Sequence, residues 1–334
     1  MDAVTGTQLW APTTERAGST NLAAFARTNG FEALDYEALH RWSVAEPADF
    51  WRAVWDGCGI VGDPGDTVVL PSDDIAATRF FPNASLNVAE NLLARLPDGE
   101  GVPAVIAYDE HGHVSSLAAD DLRRAVASFA AVLREAGVGV GDRVCAMLPN
   151  GPEAVITMLG AASIGAVYSS ASPDFGVSAV LDRFEQIEPV VFVGCAEYTY
   201  AGKLIDTSEK LVAIAAGLGA ARLCVVTGHR GIDGFQPWQQ LLAAHPDTPL
   251  QFERLPFDHP WYVLFSSGTT GKPKCIVHRA GGVLLMHAKE HRLHCDIRPG
   301  DVVTYYTTTG WMMWNWLVSA LATGATIEIG RAHV

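Results

Sequence analysis

The sequence predicts an α/β fold in which parallel sheets are covered by helices on both faces. From Val102 onward, short apolar, β-prone runs alternate with amphipathic stretches of about 10 to 15 residues at helical spacing, the pattern of successive βαβ units. The chain has 334 residues, 49% of them hydrophobic, enough for about two structural units. No short repeat or low-complexity tract interrupts the pattern. The formal net charge of −14, from 23 basic and 37 acidic residues, repels nucleic acid and anionic lipid surfaces. No run approaches about eighteen apolar residues, and the N-terminus lacks the charged-then-apolar order of a signal peptide. A cytoplasmic protein with small-molecule partners, and without nucleic-acid or membrane partners, is expected. The six cysteines (Cys58, Cys145, Cys195, Cys224, Cys275, Cys295) form no CxxC pair and are expected to be reduced core residues, not zinc ligands or disulfides.

Taken in order, residues 1–98 read as an N-terminal helical extension, with apolar patches over 39–44 and 50–54. Within it, Asn87 can cap a short helix whose Val88, Leu92 and Leu96 share one face. A first α/β subdomain is expected over 99–254. It opens with a strand over 104–108, turns at Glu110, His111 and Gly112 into 114–117, and continues with a helix over 118–136. Leu122, Val126, Phe129 and Leu133 lie at helical spacing there, and Gly137 stops the helix. Strands follow over 143–148, 166–169, 190–194 and 223–227, with helices over 153–164, 177–186, 206–218 and 238–244. A second subdomain over 255–334 is expected to carry a sheet running from 262–265 to 326–329. Helices over 281–294 and 312–321 and a strand over 302–306 lie between those ends.

The stretch 262–277, YVLFSSGTTGKPKCIV, carries the chemistry. It reads as a phosphate cradle between two buried strands. Gly268 and Gly271 permit backbone geometries that a Cβ would forbid, so successive N–H groups can converge on an anion. Ser266, Ser267, Thr269 and Thr270 add hydroxyl donors, and Lys274 adds a fixed positive charge. A Walker loop needs a further glycine upstream of its Gly-Lys pair and a Ser or Thr after it; those places hold Ser266 and Pro273. An ordinary surface loop has the same composition, and the stretch alone does not separate the two.

SSGTTGKPK resembles, at every defining position, the phosphate-binding loop of the adenylate-forming (AMP-binding) superfamily, which includes acyl-CoA synthetases, peptide-synthetase adenylation domains and luciferases. Within it, LHRWSVAEPADFW, FPNASLNVAENLL, GDRVCAMLPN, SSASPDFG, VLDRFEQIEP and YTTTGWMMWN resemble the acetoacetate-CoA ligase family, over about 21–329. The resemblance implies the N-terminal domain of an adenylate-forming enzyme and a two-step reaction: ATP and acetoacetate give an acyl-adenylate and pyrophosphate, and the thiol of coenzyme A then displaces AMP. Ser266, Ser267, Gly268, Thr269, Thr270, Gly271 and Lys274 would hold the β and γ phosphates with Mg2+ bridging them, Lys274 and Thr270 acting as catalytic donors. Gly310, Trp311, Met312 and Met313 match the acyl-pocket element of the related acetyl-CoA synthetases; plain helix core is the alternative. YTYAGK, ending at Lys203, aligns with a CoA-contacting segment in which an arginine stands at the lysine's place. A solvated lysine at a helix start is the alternative there.

A competing motif is HxxEH at His287, Glu290 and His291, a zinc signature. It offers no identifiable third ligand, so a polar helix face and no bound metal are expected. The family pattern ends near Ile329, and the acidic magnesium-placing motif, the ribose-binding aspartate and the mobile C-terminal domain with its lysine are not found. A truncated chain that aggregates and forms no acetoacetyl-CoA is therefore expected. An acetyl- or other short-chain acyl-CoA synthetase and an inactive nucleotide-binding fragment remain as alternatives.

Overall fold

The computed structural model describes residues 9–33, 35–97, 102–266 and 271–330. The elements that build the site are, in chain order, β1 (Pro103–Asp109), β2 (Gly112–Ala118), α1 (Ala119–Glu135), β3 (Arg143–Met147), α2 (Pro152–Ser163), β4 (Val167–Ala171), β5 (Val191–Cys195), β6 (Glu197–Tyr200), β7 (Lys203–Asp206), β8 (Leu223–Thr227), β9 (Gln236–Pro237), β10 (Pro260–Ser266), β11 (Lys274–Arg279), α3 (Ala280–Lys289), β12 (Val302–Thr304), α4 (Met312–Ser319) and β13 (Thr326–Gly330). The continuous apolar runs become inner strands of a seven-stranded sheet of order β9-β8-β5-β3-β4-β10-β11. Its neighbours are parallel except the β10–β11 hairpin. β4 and β5 are buried along their whole length, which requires cover on both faces. A second sheet has the order β12-β13-β1-β2 and is parallel up to the β1–β2 hairpin.

This partnering corrects one expectation. No sheet runs from Tyr262 to Ile329: β10 and β11 extend the sheet begun by β3, while β13 pairs with β1, Ile327 opposite Val105. Local apolarity makes a strand without naming its partner. β11 is also no buried strand, because Lys274, Cys275, Ile276 and Val277 are exposed on the sheet's outer edge. The β6–β7 hairpin was missed altogether. Its strands are short and partly exposed, and its turn is made by Ala201 and Gly202 at positive φ. Lys203 therefore stands on a hairpin strand and not at a helix start.

The long α1 buries Leu122, Val126, Phe129 and Leu133 in the main core, as its periodicity predicts. Helices Asn21–Thr28, Tyr36–Ala45 and Pro47–Cys58 dock through Phe25, Leu39 and Val54 onto Ala288 and Leu293, at the end of α3 and the π-helical turn after it. All six cysteines are free; Cys58, Cys145 and Cys195 are buried, but Cys275 and Cys295 are exposed, against expectation. Both sit where the covering layer ends, on the edge strand and just past the π-helical turn. No described helix is long and apolar enough to cross a membrane.

Asn87 shows how one polar side chain ties the layers. Its Oδ1 accepts from Glu90 N, capping helix Val88–Leu93, and its buried amide nitrogen donates to the carbonyls of Ala162, Ser163 and Glu253. Asn87→Ala removes the cap and the Glu253 carbonyl's donor, while Ala162 O and Ser163 O keep backbone donors, an expected cost of about 1 to 3 kcal/mol. Asn87→Asp keeps the cap but turns a buried acceptor toward those carbonyls in place of the donor, and should cost more than Asn87→Ala. A urea midpoint for Asn87→Ala equal to that of the unmodified chain contradicts this.

Candidate active site

Parallel strands carry their carboxyl ends to one edge of a sheet. Here the strand order reverses at β3, which has β4 on one side and β5 on the other. A crevice opens outside the strand ends at such a reversal, the usual ligand position in open α/β sheets. A cleft of about 490 Å³ lies there. Its walls are the segments that follow β3 (148–153), β4 (Ser172, Pro173), β5 (197–199) and β8 (Gly228, His229). The second sheet contributes residues 108–110 at the end of β1 and Gly330 at the end of β13, and Thr308 and Thr309 close the side toward α4.

Hydrogen bonds, half-buried at Asn150 and buried at Thr309 and Ser170, hold these ends in register. Asn150 donates from its amide to Gly330 O at 3.2 Å and accepts from Trp314 Nε1 at 2.8 Å, joining β3, β13 and α4. Thr309 Oγ1 donates to Leu148 O at 2.9 Å, and Ser170 Oγ donates to Thr309 O at 2.5 Å. Nothing in the sequence assigned Asn150 a role, although it closes one of the motif segments; its partners lie far away in the chain. The Glu110 carboxylate accepts from Ala201 N at 2.6 Å and Gly202 N at 2.5 Å, tethering the β6–β7 turn to the β1–β2 turn. Tyr198, Thr199 and Leu204 of that hairpin line the cleft, while Lys203 stands exposed at its turn. Burial, and then a hydrogen bond with Asp174, raises the Tyr198 phenol above its ordinary range.

Ser267, Gly268, Thr269 and Thr270 lie outside the described residues, but both flanks of their turn are set. Ser266 ends β10 directly opposite Lys274 on β11, so the turn leaves the carboxyl end of β10, on the cleft's edge of the sheet. Gly271 has φ +88°, the left-handed region where a Cβ is disfavoured. Gln186 Nε2 donates to Pro273 O at 2.9 Å, and Lys272 lies 3.8 Å from Glu185. Lys274 is exposed, with no ion pair among the described residues. Gly310 sits on the end of β4, where an added Cβ would lie 3.5 Å from Ser172 N. Trp311 and Met312 are 64% and 46% exposed and Met313 is half-buried, so the packed stripe of α4 begins only at Trp314. Gly310 to Met313 flank the cleft without lining it.

The HxxEH residues face different surroundings. His287 and His291 are buried, not on the polar helix face that was expected, because their side of the helix packs against α4. His287 Nδ1 is 2.9 Å from Ser319 Oγ, whereas Glu290 turns to Lys289 Nζ at 2.8 Å. Among the described residues no three His, Cys, Asp or Glu side chains converge as a metal site would require. Burial holds both imidazoles neutral, pushing His287 down to about 3, helped by His291 and His278, and His291 down to about 4.

The fold and the cleft define a class. A family model for AMP-binding enzymes matches residues 98–332, and one for the acetyl-coenzyme A synthetase N-terminus matches residues 36–92. The chain belongs to the AMP-binding enzyme family. It is 46% identical over 331 residues to the acetoacetyl-coenzyme A synthetase of Rhizobium meliloti (strain 1021) and 43% identical over 338 residues to the acetoacetyl-CoA synthetase of Danio rerio, in each case over 96% of this chain and 50% of the relative. The solved acetoacetyl-CoA synthetase from Streptomyces lividans matches with a TM-score of 0.92 at 41% identity, over 97% of this chain and 51% of that one. The chain thus spans about half the length of the curated relatives it matches, and the expected adenylate-forming N-terminal α/β domain is its fold.

Because both buried histidines titrate below their ordinary 6.5 in the folded chain, the unfolded chain takes up protons first as pH falls. Their contribution is fully present above 6.5 and is lost from there toward about 4 for His291 and about 3 for His287. Unfolding should be easier at pH 5 than at pH 7 by on the order of 2 kcal/mol per histidine. His291→Phe, which preserves the ring against Trp316, should flatten that slope; urea midpoints whose pH slope is unchanged by it contradict the assignment.

Proposed function

We propose that this chain carries the adenylating part of an ATP-dependent acetoacetate-CoA ligase acting on small molecules in the cytoplasm. The observation that supports it best is the shared edge: Ser266 and Lys274, which flank the donor-dense stretch, the Gly310 segment and the cleft all lie at the carboxyl ends of the parallel strands. An acid bound between the turn and Gly310 would have its carboxylate directed at the α-phosphorus of ATP. Little covalent work then falls to the protein, and catalysis consists of positioning and of stabilising charge that moves onto pyrophosphate. Ser266, Ser267, Gly268, Thr269, Thr270 and Gly271 supply hydroxyl and backbone donors, and the unpaired Lys274 ammonium supplies the countercharge. Mg2+ in such a site is held largely by phosphate oxygens, which suits a site without a carboxylate cluster among the described residues.

The cleft beside the β6–β7 hairpin is read as the coenzyme A side. It borders the end of β4 where the acyl group would lie, and the exposed Lys203, next to the lining residue Leu204, would attract a phosphate. Met312 and Met313, exposed or half-buried at the start of α4, are read as the flexible walls that fit a four-carbon oxo acid. A synthetase for acetate or another short acid is the second reading, and specificity constants separate the two.

Two outcomes are expected in the full-length gene product, or in a fusion that adds the second half of the Streptomyces lividans relative. Lys274→Ala and Thr270→Val should slow acetoacetate-dependent exchange of labelled pyrophosphate into ATP by about tenfold to a hundredfold, the worth of one charge-assisted contact. Unchanged exchange in both variants removes the turn from the site. Met312→Ala and Met313→Ala should shift the ratio of kcat/KM values from acetoacetate toward bulkier acids. Wild-type ratios in both would make these side chains packing residues only.

A further inference from the structure

Between the β4–β10 side of the large sheet and the α3–α4 pair lies a buried layer of polar side chains. Tyr168 and Tyr262 are register partners on adjacent parallel strands, so their side chains leave the same face. The Tyr168 ring packs 6.1 Å from Trp314, which turns that face toward α4. From the other side come His287 and His291, four residues apart, with the His291 ring 4.3 Å from Trp316. Asn315 lies one turn before Ser319, whose hydroxyl is 2.9 Å from His287 Nδ1, on the same face of α4. Each of the five is at most 1% exposed.

Most of their polar atoms have no hydrogen-bond partner: both phenol oxygens, His287 Nε2, both ring nitrogens of His291, and both amide atoms of Asn315. His291 lies close to the Trp316 backbone and Tyr168 close to Ser170, but neither contact meets hydrogen-bond geometry. Unpartnered buried polar atoms are costlier than apolar groups of the same shape. Native structures retain them where a ligand, an ion or water completes them.

The layer has a direction. Along α4, Met312, Asn315 and Ser319 follow one another on one face, at about 1.5 Å of rise per residue. Its outer end is therefore the exposed Met312 and the Gly310 turn on β4, and Asn315 is the first polar side chain inward from them. The neutral imidazoles leave the layer uncharged, which suits a carbonyl and disfavours a second carboxylate.

We propose that this layer is the inner wall of the acyl slot, and that Asn315 is a specificity-determining residue whose amide nitrogen donates to the oxo oxygen of a short 3-oxo acid. The inference rests on the ligase reading above. A site built to hydrogen-bond a substrate carbonyl rejects the analogue that lacks it, because the site's own polar groups are then left unpaired.

The test measures kcat/KM for acetoacetate and for butyrate, which has the same carbon count without the oxo group, in the full-length gene product or the fusion. Unmodified protein should prefer acetoacetate. Asn315→Leu, close in shape but without polar atoms, should lower kcat/KM for acetoacetate by roughly tenfold or more and change butyrate by less than about threefold. Asn315→Ser, which retains a donor, should keep part of the preference and serves if the leucine variant does not fold. A preference unchanged in both variants, or an acetoacetate complex in which only water meets Asn315, overturns the proposal while leaving the ligase reading intact. Unmodified protein that activates neither acid overturns both.

Discussion

Two sheets with separate strand orders meet at the carboxyl ends of their parallel strands, and the half-buried hydrogen bonds of Asn150 and the buried ones of Thr309 and Ser170 hold that meeting line. Asn150 is bound on one side to the last strand of the small sheet and on the other to Trp314 of α4, while Thr309 reaches back to the end of β3. The Thr309 and Ser170 contacts are buried, and in a low-dielectric setting losing one leaves a desolvated carbonyl behind. The cleft, the end of β10 at Ser266 and the Gly310 segment inherit their relative positions from this line. A site that works by positioning depends on such rigidity more than on any single reactive group.

Much of the fold was legible locally. Leu122, Val126, Phe129 and Leu133 announce α1 by their spacing, and Asn87 announces the short helix it caps. The buried runs of β3, β4 and β5 leave no room for a solvated face. Pairing was not legible, because the contact between Ile327 and Val105 or between Tyr262 and Tyr168 depends on which surfaces remain unpartnered after the helices have packed. The β6–β7 hairpin escaped because four-residue strands carry too few alternations to register, and its turn residue Ala201 gives no sign of its positive φ.

The proposed site can be framed from sequence where its residues are continuous and not where it is assembled. Ser266, Gly271 and Lys274 lie within nine residues, so the anion-binding reading proposed for them could be framed from sequence alone. Asn150, Glu110 and the Tyr168–Asn315 layer draw their meaning from partners distant in the chain. The HxxEH histidines show the hazard of reading polarity as exposure. A neutral imidazole is a tolerable core residue when burial holds its titration well below neutrality, and its spare nitrogens then become available to whatever enters the interior.

The central claim is that the carboxylate of the acid attacks the α-phosphorus of ATP at the edge shared by the donor turn and the cleft. Acetoacetate labelled with oxygen-18 in its carboxyl group, incubated with ATP, Mg2+ and coenzyme A and the full-length gene product, tests this directly. Attack at the α-phosphorus transfers one labelled oxygen to AMP, and mass spectrometry of the released AMP should show it in each turnover. Label appearing in orthophosphate together with ADP would mean attack at the γ-phosphorus and would contradict the account.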